Sequence, residues 1–207
     1  MDWKSTFSFF GLNGFLRISF LVLILVVFSN CRQSQKRTIC LQPFSDFSAS
    51  DTKKIQAELQ KVYSDVKILQ PIDFPKDSWN AAKTRHRADS IIRFLDRRTS
   101  ENQLTIGLTH KDISTTKGKF KDWGVMGLGF CPGKSCVASS FRLHEKNKFE
   151  QLFKVAIHEL GHTEGLPHCP EKTCFMRDAK GKNHKDEEKD FCASCKRKLI
   201  ASGWNLK

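Results

Sequence analysis

The chain has little of three things: tyrosine, acidic residues and long apolar runs. Tyr63 is its one tyrosine. The sequence has 22 acidic residues and 35 lysines and arginines, which gives a formal net charge of +13. That charge suits nucleic acid, an anionic membrane surface or acidic substrates, although a solvated basic surface explains it equally well. No interleaved pattern of arginines and aromatic residues marks a nucleic-acid-binding face, so we expect no nucleic acid partner.

No apolar run reaches the roughly 20 residues that a membrane-spanning helix needs. Residues 18–28 come nearest, and they have the length of the hydrophobic region of a secretory signal peptide. The run ends at Ser29-Asn30-Cys31, an order similar to a bacterial lipoprotein processing site. We therefore expect a lipoprotein-type signal peptide over residues 1–30, a linker over 31–37 and a lipid on Cys31. The protein would be exported and membrane-anchored, facing the periplasm or the cell surface; a plain signal peptide or an uncleaved anchor are the alternatives.

The remaining residues, 38–207, have the size of a single domain. Short apolar stretches typical of buried strands lie at residues 38–44, 66–69 and 104–108. Helical periodicity separates them, from Asp51 as N-cap through Lys61 and from about Trp79 to Arg98. This alternation of strands and helices predicts an α/β fold with mostly parallel neighbours in the sheet.

Two further segments differ from this pattern. Trp123–Cys131 is glycine-rich, and Cys136–Arg142 is a strand candidate whose modest polarity suits a sheet edge. An exposed edge offers unpaired backbone groups, so an extended peptide could add itself there. An ordinary hairpin is an equally good interpretation of these residues.

The strongest motif lies on an amphipathic helix predicted from Asn147 onward. In His158-Glu-Leu-Gly-His162 the two imidazoles are one turn apart and can bind one metal ion, while Glu159 projects beside them. The run continues to His168 as H-E-x-x-H-x-x-G-x-x-H. Gly165 can adopt the positive φ that ends a helix, which would bring His168 back as the third ligand. Three ligands leave one coordination position open, as in catalytic zinc sites.

Eight cysteines require an account in an exported protein. Four near the carboxyl terminus have C-x4-C and C-x2-C spacing and could close a tetrahedral zinc site or form two disulfides. They are Cys169, Cys174, Cys192 and Cys195. Cys40 lies in an apolar stretch and should be a buried thiol, whereas Cys131 and Cys136 could form a disulfide around a short loop.

The extended histidine motif is the metzincin signature, and together with the cysteines it resembles the archaemetzincin family. In that family a cysteine follows the motif directly, and a C-x-M and a more distant C-x-x-C come later in the chain. This sequence has the same order, from His158 to Met176 and then at Cys192–Cys195. The resemblance implies a metzincin-like twisted, mostly parallel sheet with an antiparallel edge strand and an active-site helix. It also implies a small carboxyl-terminal subdomain in which the four cysteines bind zinc, and a Met-turn at Met176 beneath the catalytic metal.

The predicted function is peptide-bond hydrolysis with two Zn²⁺ ions, one catalytic and one structural. A zinc-bound water, with a pKa of about 7, would attack the carbonyl group after losing its proton to Glu159 as general base. We expect peptide or protein substrates, aminopeptidase-like cleavage of short peptides, and a monomer. Arg142 or His144 could bind a substrate carboxylate or the oxyanion, or be solvated surface residues. The alternative is a zinc-stabilised binding or interaction protein without catalysis.

Overall fold

A computed structural model describes residues 37–206, so the predicted signal peptide, Cys31 and the linker up to residue 36 lie outside the described residues. Within that range, none of the helices combines the length and the apolarity needed to cross a bilayer. The described strands are β1 Thr38–Pro43, β2 Val66–Ile68, β3 His86–Arg87, β4 Gln103–Thr109, β5 Ile113–Lys117, β6 Phe120–Val125, β7 Gly127–Gly129 and β8 Ser135–Ser139. The described α-helices are α1 Ala49–Val62, α2 Ala88–Asp96, α3 Lys148–Thr163 and α4 Ala193–Ala201, and short 3-10 helices span Lys76–Ser78 and Glu145–Asn147.

The main sheet has five strands in the order β2-β1-β4-β8-β7. The first four run parallel, and β7 pairs antiparallel with β8. A mostly parallel sheet with an antiparallel edge strand is therefore confirmed. A separate sheet, β3-β5-β6, was not predicted; its β5–β6 hairpin projects beside the main sheet's β7 edge.

Two hydrophobic cores cover opposite faces of the main sheet. Successive residues of a strand point to opposite faces, and in β8 Cys136 and Ala138 belong to the larger core while Val137 belongs to the smaller one. The larger core packs α1, α3 and α4 against the sheet, and the smaller core packs α2 against the other face. The sheet thus carries α3 on a rigid, fully buried support.

The predicted helix from Trp79 to Arg98 is wrong in its first half, because α2 begins only at Ala88. The side-chain oxygen of Asn80 accepts hydrogen bonds from the backbone N–H groups of Thr84 and Arg85, which closes a turn instead of a helix. Helix α1 also begins earlier than predicted. Ser48, not Asp51, is the N-cap, and its hydroxyl accepts from the Asp51 N–H at 3.1 Å.

The placement of Cys136–Arg142 at the sheet edge is also wrong. Strand β8 ends at Ser139, lies between β4 and β7, and is buried along its whole length. Its polarity is satisfied internally, since the Ser135 hydroxyl donates to the Ile92 carbonyl at 2.7 Å. The glycine-rich segment supplies the true edge, strand β7.

A buried glutamate ties both ends of the described chain to the end of α3. The Glu164 carboxylate forms an ion pair with Arg37 and accepts from the indole N–H of Trp204 at 2.7 Å. Its side chain is 3% exposed. Tyr63 joins this cluster, because its hydroxyl donates to the Arg37 carbonyl at 2.5 Å and its ring packs on Trp204. The one tyrosine of the chain therefore has a structural position in this cluster.

Candidate metal centre

Helix α3 presents the histidine motif at the boundary between the core and a cleft. Its apolar residues, such as Leu152, Ile157 and Leu160, are buried against the sheet and fix the rotation of the helix about its axis. His158 and His162 consequently project together, with ring centroids 4.7 Å apart. The predicted helix and the shared face of these two residues are both confirmed.

Two backbone carbonyls determine which nitrogen of each helix histidine is free. Nδ1 of His158 lies 2.6 Å from the Phe175 carbonyl oxygen, and Nδ1 of His162 lies 2.7 Å from that of Leu166. A carbonyl can only accept, so each Nδ1 carries the proton and each Nε2 keeps its lone pair. The two Nε2 atoms are 3.1 Å apart. Two lone pairs facing each other at that distance fit a shared cation.

Burial also favours the ligand form of these side chains. It lowers the pKa of His158 well below its ordinary value and lowers that of His162 as well. A metal ligand must be the neutral imidazole. The desolvation of the site therefore acts in the same direction as the hydrogen bonds to the two carbonyls.

A tight turn follows the helix. Gly165 has φ = 80°, a left-handed conformation that side-chain-bearing residues rarely adopt. Its N–H donates to the His162 carbonyl at 2.8 Å, and the Leu166 N–H donates to the Gly161 carbonyl at 3.1 Å. These two bonds form the Schellman motif that ends many helices. The predicted role of Gly165 is confirmed.

The turn brings His168 to the other two histidines. Its ring centroid lies 4.9 Å from that of His162 and 5.4 Å from that of His158. One nitrogen of each histidine falls within 4.8 Å of the others. His168 is the exposed member of the group, and its Nδ1 lies 3.9 Å from the Asp178 carboxylate. Three imidazole nitrogens open to a cleft on one side are a donor set that suits zinc with a free coordination position.

Strand β7 fixes Glu159 beside the histidines. Glu159 is 7% exposed, and a Cβ added at Gly127 would lie 2.5 Å from its Oε1. A Cβ at Gly129 would lie 3.0 Å from the Glu159 carbonyl oxygen and 3.5 Å from Oε2. Burial raises the pKa of Glu159 to about 8, and the Lys185 ammonium opposes that rise. The two glycines therefore leave room for this carboxylate and for nothing larger.

Replacing Gly127 with alanine should displace the Glu159 carboxylate, because the new methyl group would occupy its position. Misplacing a reacting group by about 1 Å can cost about 10²-fold in rate, and we expect a loss of that order in peptide hydrolysis. The zinc content should stay the same, since the three atoms nearest to this glycine's Cβ position all belong to Glu159. Activity assays paired with metal analysis test the prediction; an unchanged rate would show that Glu159 does not need this strand.

The four carboxyl-terminal cysteines meet in a second cluster. Their Sγ atoms all lie within 4.8 Å of one another, and those of Cys169 and Cys192 are 3.7 Å apart. The backbone N–H groups of Met176 and Cys192 donate to Cys174 Sγ at 3.5 and 3.3 Å. Such bonds stabilise a thiolate, and four thiolates at these separations fit a closed tetrahedral zinc site. All four are free cysteines, which favours zinc over the two disulfides.

The structure also bears on the predictions for Cys40, Cys131 and Cys136. Cys40 is 1% exposed, as expected for a buried thiol. Cys131 and Cys136 are both free, so the disulfide between them that the sequence allowed is not formed in the structure. Cys136 is fully buried, and burial together with the nearby Glu159 charge raises its pKa.

Met176 links the two clusters. It is fully buried, and a Cβ added at Gly161 would lie 2.4 Å from its Sδ. Gly161 stands between the two helix histidines, so only a glycine lets the methionine pack this closely beneath them. The Cys169 N–H donates to the Met176 carbonyl at 2.8 Å, which joins the methionine to the first cysteine. The placement agrees with the expected Met-turn.

A cleft of about 1140 Å³ opens over the histidines and Glu159. The β5–β6 hairpin forms one wall and the turn at residues 178–182 forms another. Arg142 lines the cleft, although its guanidinium donates to both oxygens of Asp112 at 2.9 and 2.8 Å. His144 is not among the cleft residues and contacts Gln151 instead. Sequence reasoning missed the role of Gly127 and Gly129, for which the glycine-rich segment was the available signal.

A helix that presents two histidines and a buried glutamate beside an antiparallel edge strand, a turn that returns a third histidine, and a four-cysteine cluster together define a zinc metallopeptidase. The chain belongs to Peptidase family M54, whose family model matches residues 51–201.

The curated relatives that it resembles are archaemetzincins. The archaemetzincin of Halobacterium salinarum is 28% identical over 172 residues, which cover 76% of this chain and 96% of the relative. The archaemetzincin of Archaeoglobus fulgidus is 30% identical over 166 residues, which cover 78% of this chain and 98% of the relative.

Solved archaemetzincin structures show the same fold. That of Methanopyrus kandleri matches with a TM-score of 0.69 and 25% identity, over 82% of this chain and 97% of the other. The structure of A. fulgidus archaemetzincin, complexed with malonate, matches with a TM-score of 0.66 and 30% identity. The match covers 78% of this chain and 99% of the other. The expected archaemetzincin membership and fold class are confirmed.

Proposed function

We propose that His158, His162 and His168 hold the catalytic zinc and that Glu159 is the general base in peptide-bond hydrolysis. The observation that carries this proposal is the pair of Nε2 atoms 3.1 Å apart, each with its ring proton committed to a backbone carbonyl. A zinc ion bound there would supply a Lewis acid that acidifies water and polarises a carbonyl group.

The chain's own residues carry the proton. Glu159 follows His158 directly on the helix, and the β7 glycines hold its carboxylate in place. It accepts the proton of the attacking water and returns the proton to the leaving amine. Its burial excludes bulk water from the carboxylate, so the proton stays within the site during the reaction.

Strand β7 supports a mode of substrate binding. Within the described residues β7 pairs only with β8, so its other edge faces the cleft. An extended peptide can add to this edge through backbone hydrogen bonds. Gly127 and Gly129 have no side chains, and Leu128 packs against the smaller core, which leaves the backbone accessible.

We further propose aminopeptidase-like action on short peptides. The Asp178 carboxylate, 3.9 Å from Nδ1 of His168, offers a partner for a free α-amino group at the cleft. The two walls also approach each other, since a Cβ at Gly181 would lie 3.5 Å from the Trp123 ring. A cleft narrowed in this way favours short substrates.

The cysteine cluster would hold a second, structural zinc ion, giving two per chain. Support comes from the four convergent sulfur atoms and the N–H bonds to Cys174. We propose that this ion ties the segment after His168 to α4. A monomer would then contain every residue that both sites need.

We also propose that the protein is exported and anchored to a membrane through a lipid on Cys31. The support is the apolar run at residues 18–28 and the cysteine that follows it. A lipid and a basic domain would give two attachments to an anionic membrane. Replacing Cys31 with serine should release the protein from the membrane fraction; unchanged fractionation would contradict the anchor.

Profiling the cleavage of a mixed peptide library by the zinc-loaded protein tests the proposed reaction. Cleavage should occur, stop when a chelator removes the zinc, and return when zinc is restored. Products shortened by one residue at the amino end would support aminopeptidase-like action. A library left intact by protein with both metal sites loaded would instead support the zinc-stabilised interaction protein.

A further inference from the structure

We propose that lysines on the rim of the catalytic cleft select peptides with an acidic side chain within a few residues of the cleaved bond. This substrate preference rests on the proposed peptidase function of the same cleft. The rim lysines are Lys117 and Lys121 on the β5–β6 hairpin and Lys180 and Lys182 on the facing turn.

The two walls present these lysines to solvent from opposite sides. Lys117 and Lys121 flank the hairpin tip, and both are exposed. The opposite turn is built on left-handed residues, Lys180 with φ = 47° and Gly181 with φ = 79°, and it carries exposed Lys180 and Lys182. A peptide lying in the cleft would pass between two pairs of ammonium groups.

Other cations of the cleft already form ion pairs with the protein's own carboxylates. Nζ of Lys185 lies 3.0 Å from both carboxylate oxygens of Glu188, and both side chains are almost fully buried. Arg85 and Arg142 share the Asp112 carboxylate. These groups are committed to the protein's own structure and are poorly placed to bind a ligand.

The rim lysines differ in this respect. Among residues 37–206, no carboxylate lies within ion-pairing distance of any of the four. The facing turn also carries Asp178, whose carboxylate accepts a hydrogen bond from the Lys180 N–H at 2.9 Å and faces Nδ1 of His168 at 3.9 Å. One carboxylate beside the ammonium groups of Lys180 and Lys182 leaves an excess of positive charge on this turn.

These lysines lie beside the metal site. Asp178 faces Nδ1 of His168 and bonds the Lys180 N–H, so Lys180 lies on the side of the cleft formed by the third histidine. The Cβ position of Gly181, the residue after Lys180, lies 3.5 Å from the Trp123 ring. Lys117 Nζ also lies 5.2 Å from the centre of the Trp123 ring, which holds it against the cleft wall. A substrate carboxylate near the reacting bond would therefore meet two cations that have no carboxylate within ion-pairing distance among the described residues.

A carboxylate is the complementary group, and its gain should be modest because the lysines are exposed. Exposed ion pairs are weak, so a single glutamate should bind about three- to tenfold more tightly than glutamine, a difference of about 0.7–1.4 kcal/mol. The preference should weaken at high ionic strength, where such pairs are screened. The alternative is a preference for an apolar substrate residue, which would contact Trp123 and exposed Phe120. The binding test below distinguishes the two preferences.

Binding to the zinc-loaded Glu159→Gln protein tests the preference without requiring hydrolysis. The probes are Ala- and Ser-based hexapeptides with a free amino terminus and an amidated carboxyl end, carrying one Glu or one Gln at each position in turn. Calorimetric titration gives the ratio of the Gln-peptide Kd to the Glu-peptide Kd. We expect about three to ten at the best position and low salt.

Two matched double substitutions distinguish the effect of the rim lysines from the effect of the general surface charge. Lys117→Gln with Lys180→Gln should lower the ratio toward one, because these two lysines lie nearest to the third histidine and the Trp123 wall. Lys53→Gln with Lys67→Gln removes the same charge from exposed lysines outside the cleft and should keep it. A ratio of one in the parent protein at every position, or an equal ratio in the rim variant, would overturn the inference. Failure of the wild-type protein to cleave any peptide would count against the peptidase function alone, because the binding ratio is measured separately.

Discussion

Replacing Glu159 with glutamine should lower peptide hydrolysis by about 10²- to 10⁴-fold, the usual contribution of a general base. Glutamine has nearly the shape of glutamate, so it fits the space beneath Gly127 and Gly129, but it cannot take a proton from water. The three histidines, and the carbonyl partners of His158 and His162, are untouched by the change. Zinc content by metal analysis should therefore equal that of the wild-type protein while turnover falls.

Glu164 provides a matched control in the same motif. Its carboxylate contacts Arg37 and Trp204 and does not line the cleft. Glu164→Gln removes a buried charge-assisted interaction and should lower the free energy of unfolding by about 1–3 kcal/mol. Its hydrolysis rate should stay within a few-fold of wild type. If Glu159→Gln retained full turnover, the assignment of the base would be wrong.

Replacing Cys174 with serine should remove one zinc ion and unfold the carboxyl-terminal segment. Structural zinc sites contribute about 10–16 kcal/mol to small zinc peptides, which rivals the roughly 5–15 kcal/mol of a whole domain. Phe191, Leu199 and Trp204 of that segment belong to the larger core, so the loss should reach the rest of the protein. We expect zinc to fall from about two to about one per chain, with a large drop in Tm.

Cys40 serves as the control for this change. It is as buried as Cys174, at 1% exposure each, but it lies on β1 away from the cluster. Cys40→Ala should keep the full zinc content and lose only about 1 kcal/mol of stability, the typical cost of a single substitution. Equal zinc content in Cys40→Ala and Cys174→Ser would contradict a four-cysteine zinc site.

The local parts of this architecture could be predicted from sequence because they depend on short-range patterns. The apolar spacing of α3 predicted that His158 and His162 share one face of the helix. Gly165 predicted the turn that brings His168 back to them. The cysteine spacing likewise indicated the second cluster. In the first two cases the residues that determine the geometry lie close together in the chain, and in the third the two members of each cysteine pair do.

The errors arose where distant residues decide the structure. Strand β8 looked polar enough for an edge, but its serines bond to carbonyls of other segments, such as Ser135 to Ile92. The turn at Asn80 replaces a helix because side-chain hydrogen bonds and pairing of β3 with β5 compete with helical periodicity. The fit of β7 glycines against Glu159 joins residues about 30 positions apart, which periodicity cannot reveal.

Titration of the metal-free protein with zinc, while peptide hydrolysis is followed, tests the three-histidine site most directly. The four thiolates should take up the first equivalent because they form a closed site, and activity should appear only with the second equivalent. Glu159→Gln should bind both equivalents and stay inactive. Activity that is complete after one equivalent, or that persists when His162 is replaced by alanine, would contradict catalysis at this centre.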